Sequence, residues 1–405
     1  MRIRNLTFTN RKGLELSAKL ELPAEGRASE FVLFAHCFTC GKDIAAIRNI
    51  SRALASEGFG VLRFDFTGLG SSEGEFADSH FSANVEDLVD ASEFLAQEYK
   101  APSVLIGHSL GGAAVVFAAS LLDTVKAVAT IGAPADPEHV THLFGSALES
   151  LEKDGEAELK LVGRTFKVRK DFVKHLQDRD MDGVLKALRK PILICHSPQD
   201  TIVGINNAAQ IYMAAHHPKS FLSLDGADHL LTEARDSLYV GRMIAAWVDR
   251  YVERKEVELR TDEQVVVSLT EPGFTAKVLA GDHRLLADEP ASVGGLDLGP
   301  SPYDFLSIGL AACTAMTIRM YTDRKQWPID EVNVHVSYGK HSHGVDSEHT
   351  GEAGAMLDTF FRKIEIIGEV DEAQRKRILQ IADKCPVHKT LEASSVIKTE
   401  ELTAT

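Results

Sequence analysis

The chain has 405 residues, 44% of them hydrophobic and 25% charged, which excludes a disordered or fibrous protein and makes two hydrophobic cores the expectation at this length. A net charge of −15 excludes nucleic acid and anionic membrane surfaces as favoured partners. Five cysteines are too few for a disulfide scaffold, and the longest uncharged apolar run, Phe305 to Ile318, is too short to span a bilayer.

The opening stretch, Met1 to Thr7, lacks the apolar core of a signal peptide, so a cytoplasmic chain with no membrane span is expected. Residues 1–252 alternate strand and helix patterns. Leu14–Leu22 and Glu30–His36 read as strands, Ala45–Glu57 as a helix and Gly60–Phe66 as a strand. Phe81–Tyr99 reads as a helix and Ser103–Ile106 as a strand. Lys126–Ile131, Pro191–His196 and Ser220–Leu224 are further strands, and Leu238–Tyr251 is a closing helix. This rhythm predicts an α/β fold with a mostly parallel, doubly wound sheet covered on both faces. Asp136 to Arg189 interrupts it with a charged stretch read as a small helical cap over the site. A charge-dense linker follows near residue 256, which gives domains at 1–255 and 262–405.

The second domain reads as α+β. Gln264–Leu269 and Thr275–Ala280 alternate around a turn at Glu271-Pro272-Gly273. Ser301, Pro302 and Asp304 mark a helix start. That helix runs to about Lys325 and is apolar nearly all round from Phe305 to Ile318, so burial is expected. Glu331–Tyr338 and Phe360–Val370 are predicted strands, Asp371–Lys384 a helix and Ser394–Lys398 a short final strand.

Gly107-His108-Ser109-Leu110-Gly111-Gly112 carries the chemistry of the first domain. It follows an apolar strand, opens a helix of small residues and fits G-x-S-x-G, a sharp turn that exposes a nucleophilic serine. A serine nucleophile needs a base and a group that orients the base. Asp200 lies in the loop after the strand ending at His196, at the carboxyl end where open sheets place ligands. His229 follows in Asp225-Gly226-Ala227-Asp228-His229. The roles expected are attack by Ser109, proton transfer by His229 and fixing of its tautomer by Asp200. Asp225 is the rival acid. Asp228 is adjacent to His229, so the two side chains diverge. His108 and His196 read as packed, hydrogen-bonded histidines. The oxyanion hole is expected from the backbone N–H groups of Leu110 and Phe38, with Cys37 as the alternative to Phe38. Cys37-x-x-Cys40 reads as a pair of structural thiols, with a redox pair or half a zinc site as the alternatives. Arg63 to Gly74 reads as a structural turn.

These motifs, in this order, resemble the α/β-hydrolase family, in particular its short-chain esterase and acyl-hydrolase branch, over residues 1 to about 252. The resemblance implies an acyl ester or lipid-like small-molecule substrate. Esterases of this kind carry His-Gly-Phe at the oxyanion loop, where this chain has His36-Cys37-Phe38.

In the second domain, Cys313 lies mid-helix and Cys385 follows the next helix, in Lys384-Cys385-Pro386-Val387-His388. Spacing alone reads both as core cysteines. The series Gly299-Pro300-Ser301-Pro302, a helix with a central cysteine, a strand, a helix and Cys385-Pro386-Val387 resembles the OsmC/Ohr family over residues 262–405. The resemblance implies an intertwined homodimer and a thiol peroxidase for organic hydroperoxides. Cys313 would become a sulfenic acid, Cys385 would condense with it, and an external dithiol reductant would reopen the disulfide. Two departures imply a slow reaction. The family's organic-hydroperoxide branch has a glutamate after the helix-opening proline, where Tyr303 and Asp304 follow Pro302 here. It also has an arginine in the first hairpin turn, which here is Glu271 to Phe274, with Arg284 the nearest substitute. His341, His343 and His349 read as part of a polar loop, and neither a metal nor a cofactor is expected.

The leading expectation is therefore a serine acyl hydrolase fused to an OsmC-like module with thiol-peroxidase chemistry. One alternative is an esterase whose OsmC-like half only dimerises. Another is a peroxidase whose hydrolase half only binds substrate.

Overall fold

The computed structural model describes residues 2–24, 26–37, 41–75, 80–138, 155–161, 164–169, 179–253, 259–269, 273–342 and 356–402. The chain forms two compact units, Met1–Arg260 and Thr261–Thr405.

In the first unit, six parallel strands form the body of an eight-stranded sheet. In chain order the strands are β1 (Arg2–Thr9), β2 (Glu15–Leu22), β3 (Glu30–Ala35), β4 (Phe59–Phe64), β5 (Val104–His108), β6 (Ala127–Ile131), β9 (Ile192–His196) and β10 (Lys219–Ser223). A separate hairpin, β7 (Glu156–Leu161) and β8 (Arg164–Arg169), falls between β6 and β9. The sheet order is β1-β2-β4-β3-β5-β6-β9-β10, with β1 and β2 joining antiparallel. Every residue of β3, β4, β5, β6 and β9 is buried, which is why these strands read as unbroken apolar runs.

The period of two splits their side chains between two cores. Phe31, Leu33 and Ala35 face helices α2 (Phe81–Glu98) and α3 (Leu110–Leu121). Val32 and Phe34 face α1 (Ala45–Ser56) and the closing helix α6 (Ala234–Val248). Short helices α4 (Met181–Ala187) and α5 (Asn206–Ala214) pack Met181, Leu185, Ala208 and Ile211 on the α2/α3 side. The doubly wound α/β sheet is as expected. The described part of residues 136–189 differs from the helical reading, since it contains the β7–β8 hairpin as well as α4.

The second unit opens with a three-stranded antiparallel meander, β11 (Val265–Ser268), β12 (Ala276–Ala280) and β13 (His283–Ala287). The long helix α7 (Pro302–Lys325) begins with the expected capping box, Ser301 and Asp304 satisfying each other's backbone N–H groups. Strands β14 (Ile329–Ser342) and β15 (Met356–Gly368) pair antiparallel. Helices α8 (Glu372–Ala382) and α9 (Pro386–Glu392) complete the unit.

Two expectations fail here. Helix α7 is buried only along Leu310, Thr314, Ile318 and Thr322, one stripe at i, i+4 spacing. Leu306, Ile308, Met316 and Met320 are 45%, 50%, 65% and 75% exposed, because β14, α8 and α9 cover only one side of it. By length and composition alone α7 could cross a membrane, although the uncharged run inside it is shorter. Residues 394–398 form no strand, and Val396 and Ile397 lie exposed.

Candidate functional sites

Ser109 sits between β5 and α3 with φ 56° and ψ −128°, a left-handed conformation that a serine adopts only when its surroundings enforce it. The flanking glycines are steric requirements. A Cβ on Gly107 would stand 2.2 Å from the Gly111 carbonyl oxygen, and one on Gly111 would stand 2.4 Å from that of His36. Helix α3 therefore docks backbone to backbone on the segment after β3. Gly111→Ala should cost about 1–3 kcal/mol of stability by overpacking and lower esterase activity with it. Urea unfolding and turnover of the same preparation check this.

The imidazole of His229 joins two of the predicted residues. Its Nε2 lies 3.0 Å from Ser109 Oγ and its Nδ1 lies 2.7 Å from Asp200 Oδ2. The other oxygen of Asp200 accepts the N–H groups of Ile202 at 2.8 Å and Val203 at 2.9 Å. Burial acts to raise the Asp200 carboxyl, but the hydrogen bond and charge of His229 and these N–H groups outweigh it and hold it below the usual carboxylate range. Asp225, the rival acid, and Asp228 point elsewhere. Asp225 accepts from Ser223 Oγ, and Asp228 binds the backbone N–H and hydroxyl of Thr232.

Leu110 opens α3, so its N–H belongs to the first turn, which has no partner within the helix. Phe38, the second expected donor, lies outside the described residues. Its alternative, Cys37, is buried and, contrary to the expected structural thiol, disulfide-bonded, whereas Cys195, Cys313 and Cys385 are free thiols. Burial pushes the Cys195 thiol up to about 12.

Two features of this site escaped sequence reading. Gly132, at φ 55°, leaves room beside the acid and base, since a Cβ there would lie 3.3 Å from both Asp200 Oδ2 and His229 Nδ1. Its signal was a glycine directly after a strand. Second, the end of β4 and the turn after it grip the segment that follows β3. Asp65 accepts the backbone N–H of Lys42 at 2.7 Å and its ammonium at 2.5 Å, and Arg63 donates to the Lys42 carbonyl at 2.5 Å. His108 and His196 are packed and hydrogen-bonded, as expected, and brace the loops that carry His229 and Asp200. His108 Nε2–H donates to the His229 carbonyl, and His196 Nε2–H donates to the Val203 carbonyl, each at 2.7 Å.

Burial, with His229 beside it, pushes His108 down to about 4. A histidine held neutral in the fold contributes stability that is full above its unfolded pKa of ~6.5 and is lost as pH falls toward the folded value. The native protein should therefore lose roughly 3 kcal/mol from this group between about pH 6.5 and 4. His108→Gln, which keeps a donor for the His229 carbonyl, should flatten this part of a stability–pH curve measured by chemical denaturation.

In the second unit, Cys313 on α7 and Cys385 at the N-cap of α9 are neighbouring free thiols that perturb each other's titration. Burial raises the Cys313 thiol, and so does its hydrogen bond to Cys385. At Cys385 burial acts the same way, but hydrogen bonds from Cys313, the His388 N–H, the Thr314 hydroxyl and the Val387 N–H outweigh it and lower that thiol. Arg284 lies on β13 opposite Leu279. His341 packs edge-on against Phe361 at 4.8 Å, while His343 and His349 lie outside the described residues.

The sheet, the strained serine and its histidine and aspartate partners define the first unit as an α/β hydrolase. Residues 32–242 match the family model described as "Alpha/beta hydrolase family", more than half of the chain, and the chain belongs to that family. Residues 294–400 match the model described as "OsmC-like protein", so the chain is a fusion of the two. The esterase domain of a Rhodothermus marinus protein, known from a crystal structure, is 49% identical at a TM-score of 0.53, covering 62% of this chain and 99% of that one. The human mitochondrial palmitoyl-protein thioesterase ABHD10 is 26% identical over 216 residues, 51% of this chain and 68% of that protein. Est1E from Butyrivibrio proteoclasticus, solved with ferulic acid bound, shares the fold at 21% identity and a TM-score of 0.54, covering 61% of this chain and 98% of that one. The first unit is thus a hydrolase domain of esterase or thioesterase kind, joined to an OsmC-like domain.

Proposed function

We propose that the first unit is a serine acyl hydrolase acting on carboxylic esters or thioesters of lipid-like acyl groups. The observation that carries this reading is the continuous hydrogen-bonded chain from Ser109 through His229 to Asp200. Ser109 Oγ attacks the acyl carbonyl carbon while His229 Nε2 takes the hydroxyl proton. Asp200 holds Nδ1 protonated and stabilises the imidazolium. The carbonyl oxygen becomes an oxyanion, which the Leu110 N–H and a donor from the segment after β3 stabilise. As the tetrahedral intermediate collapses, the bond to the alcohol or thiol breaks and His229 protonates the leaving group. Water then hydrolyses the acyl-serine by the same steps. Support for an ester or thioester class comes from the relatives, one an esterase domain and another a palmitoyl-protein thioesterase. A panel of acyl esters and thioesters of graded chain length tests the reading. Asp200→Asn should keep the fold and lose most turnover on every member, and a fully active Asp200→Asn would move the acid elsewhere.

For the second unit we propose a homodimer with thiol-peroxidase activity toward organic hydroperoxides, working in the cytoplasm with an external dithiol. The adjacency of Cys313 and Cys385 favours the peroxidase, and the exposed apolar residues of α7 favour the dimer.

A further inference from the structure

The hairpin turn that would supply a cation to the thiol pair holds none at residues 271–274. A half-buried guanidinium reaches the segments that carry the pair from elsewhere. Arg362 lies on β15 opposite Val336, and its side chain is only 12% exposed. Its Nη1 donates to Thr314 Oγ1 at 3.0 Å and to the Ala382 carbonyl at 3.1 Å. Its Nη2 donates to Asp383 Oδ1 at 2.8 Å. Thr314 is the neighbour of Cys313 on α7, while Ala382 and Asp383 lead into Cys385. One side chain therefore ties together the two segments that carry the sulfurs.

The direction of these hydrogen bonds matters. A guanidinium has donors only, so Thr314 Oγ1 must accept from it. The hydroxyl keeps one proton to give. Threonines within helices commonly return that proton to the carbonyl four residues back. On the same helix Thr317 does so to Cys313 and Thr322 to Ile318, at 2.7 Å and 3.0 Å. The fully buried Thr314 makes no such bond, and its hydroxyl proton is left for the nearby Cys385 sulfur.

We propose that Arg362 is a positioning residue of the thiol pair, which orients the Thr314 hydroxyl onto Cys385 and ties the Cys385 turn to the helix that carries Cys313. The inference rests on the reading of Cys313 and Cys385 as a working dithiol, but not on the identity of the oxidant. A purely structural Arg362 would act through Asp383 and the Ala382 carbonyl. A positioning Arg362 acts through Thr314.

The test uses the full chain with Arg362→Met, Arg362→Lys, Thr314→Val, the Arg362→Met/Thr314→Val double variant and Asp383→Asn. Thiolate absorbance is titrated against pH, with Cys385→Ser as the reference that isolates the pair. The rate of Cys313–Cys385 disulfide formation is measured with diamide, which accepts the two electrons and two protons released by the thiols. Diamide needs no peroxide chemistry, so a failed peroxidase reading leaves this test intact. Arg362→Met and Thr314→Val should each move the Cys385 titration upward and slow disulfide formation at pH 7 about tenfold. The double variant should be no slower than either single one, because both remove the same interaction. Arg362→Lys should restore part of the rate, and Asp383→Asn should stay within about twofold of the parent chain. An unchanged titration and rate in folded Arg362→Met, or additive effects in the double variant, would overturn the proposal. If Arg362→Met does not fold, unchanged titrations in both Thr314→Val and Arg362→Lys would overturn it equally.

Discussion

Ser109→Ala is expected to lower ester turnover by a factor of about 10⁴ or more while leaving the fold and its stability near those of the parent chain. The elbow tolerates alanine, since its strain lies in the backbone and its close contacts are made by Gly107 and Gly111. What disappears is the hydroxyl 3.0 Å from His229 Nε2. His229→Ala should cost a comparable factor, because members of a triad act as a unit and removing either leaves mainly the oxyanion donors. Steady-state turnover with a chromogenic ester, alongside thermal unfolding of each variant, gives the answer. Near-normal turnover in folded Ser109→Ala would mean that another nucleophile does the work.

The second large effect is expected at the thiols. With an organic hydroperoxide, the Cys313 thiolate should attack the terminal peroxide oxygen. The O–O bond breaks, the alcohol leaves after taking a proton, and Cys313 becomes a sulfenic acid. The Cys385 thiolate then attacks the Cys313 sulfur, hydroxide leaves as water, and a disulfide forms. Mass analysis after alkylation should find the Cys313–Cys385 disulfide in the parent chain. In Cys385→Ser it should find one added oxygen on Cys313. Organic hydroperoxides should outpace hydrogen peroxide, because the helix around Cys313 is apolar. A folded dimer that keeps both thiols free under excess hydroperoxide would retire the peroxidase activity and leave Cys313 and Cys385 as packing residues.

The hydrolase half was legible in the sequence because its elements carry local signals. Strands buried on both faces become apolar runs, and the elbow needs glycines within two residues of the serine. Asp200 was found because an acid at the carboxyl end of a strand has few structural reasons to be there. The competition with Asp225 required coordinates, since only they show Asp225 turned to Ser223. Strand β1 escaped because it is an edge strand with a single fully buried residue, Phe8. Arg63 and Asp65 were read only as part of a turn, and Lys42 not at all, because a grip between segments 23 residues apart leaves no periodic trace. Arg362 escaped for the same reason, at a separation of 48 positions from Thr314. Helix α7 shows a different limit. Its apolar composition correctly demands a covering surface, but composition does not say that this chain alone supplies only one stripe of it.

A fluorophosphonate probe with mapping of the labelled peptide tests the central claim most directly, because such probes phosphonylate only a serine already activated by its base. The account predicts one adduct per chain, on Ser109, lost in Ser109→Ala and strongly reduced in His229→Ala. An adduct on another residue, or an unlabelled Ser109 in a folded chain that still hydrolyses esters, would contradict it.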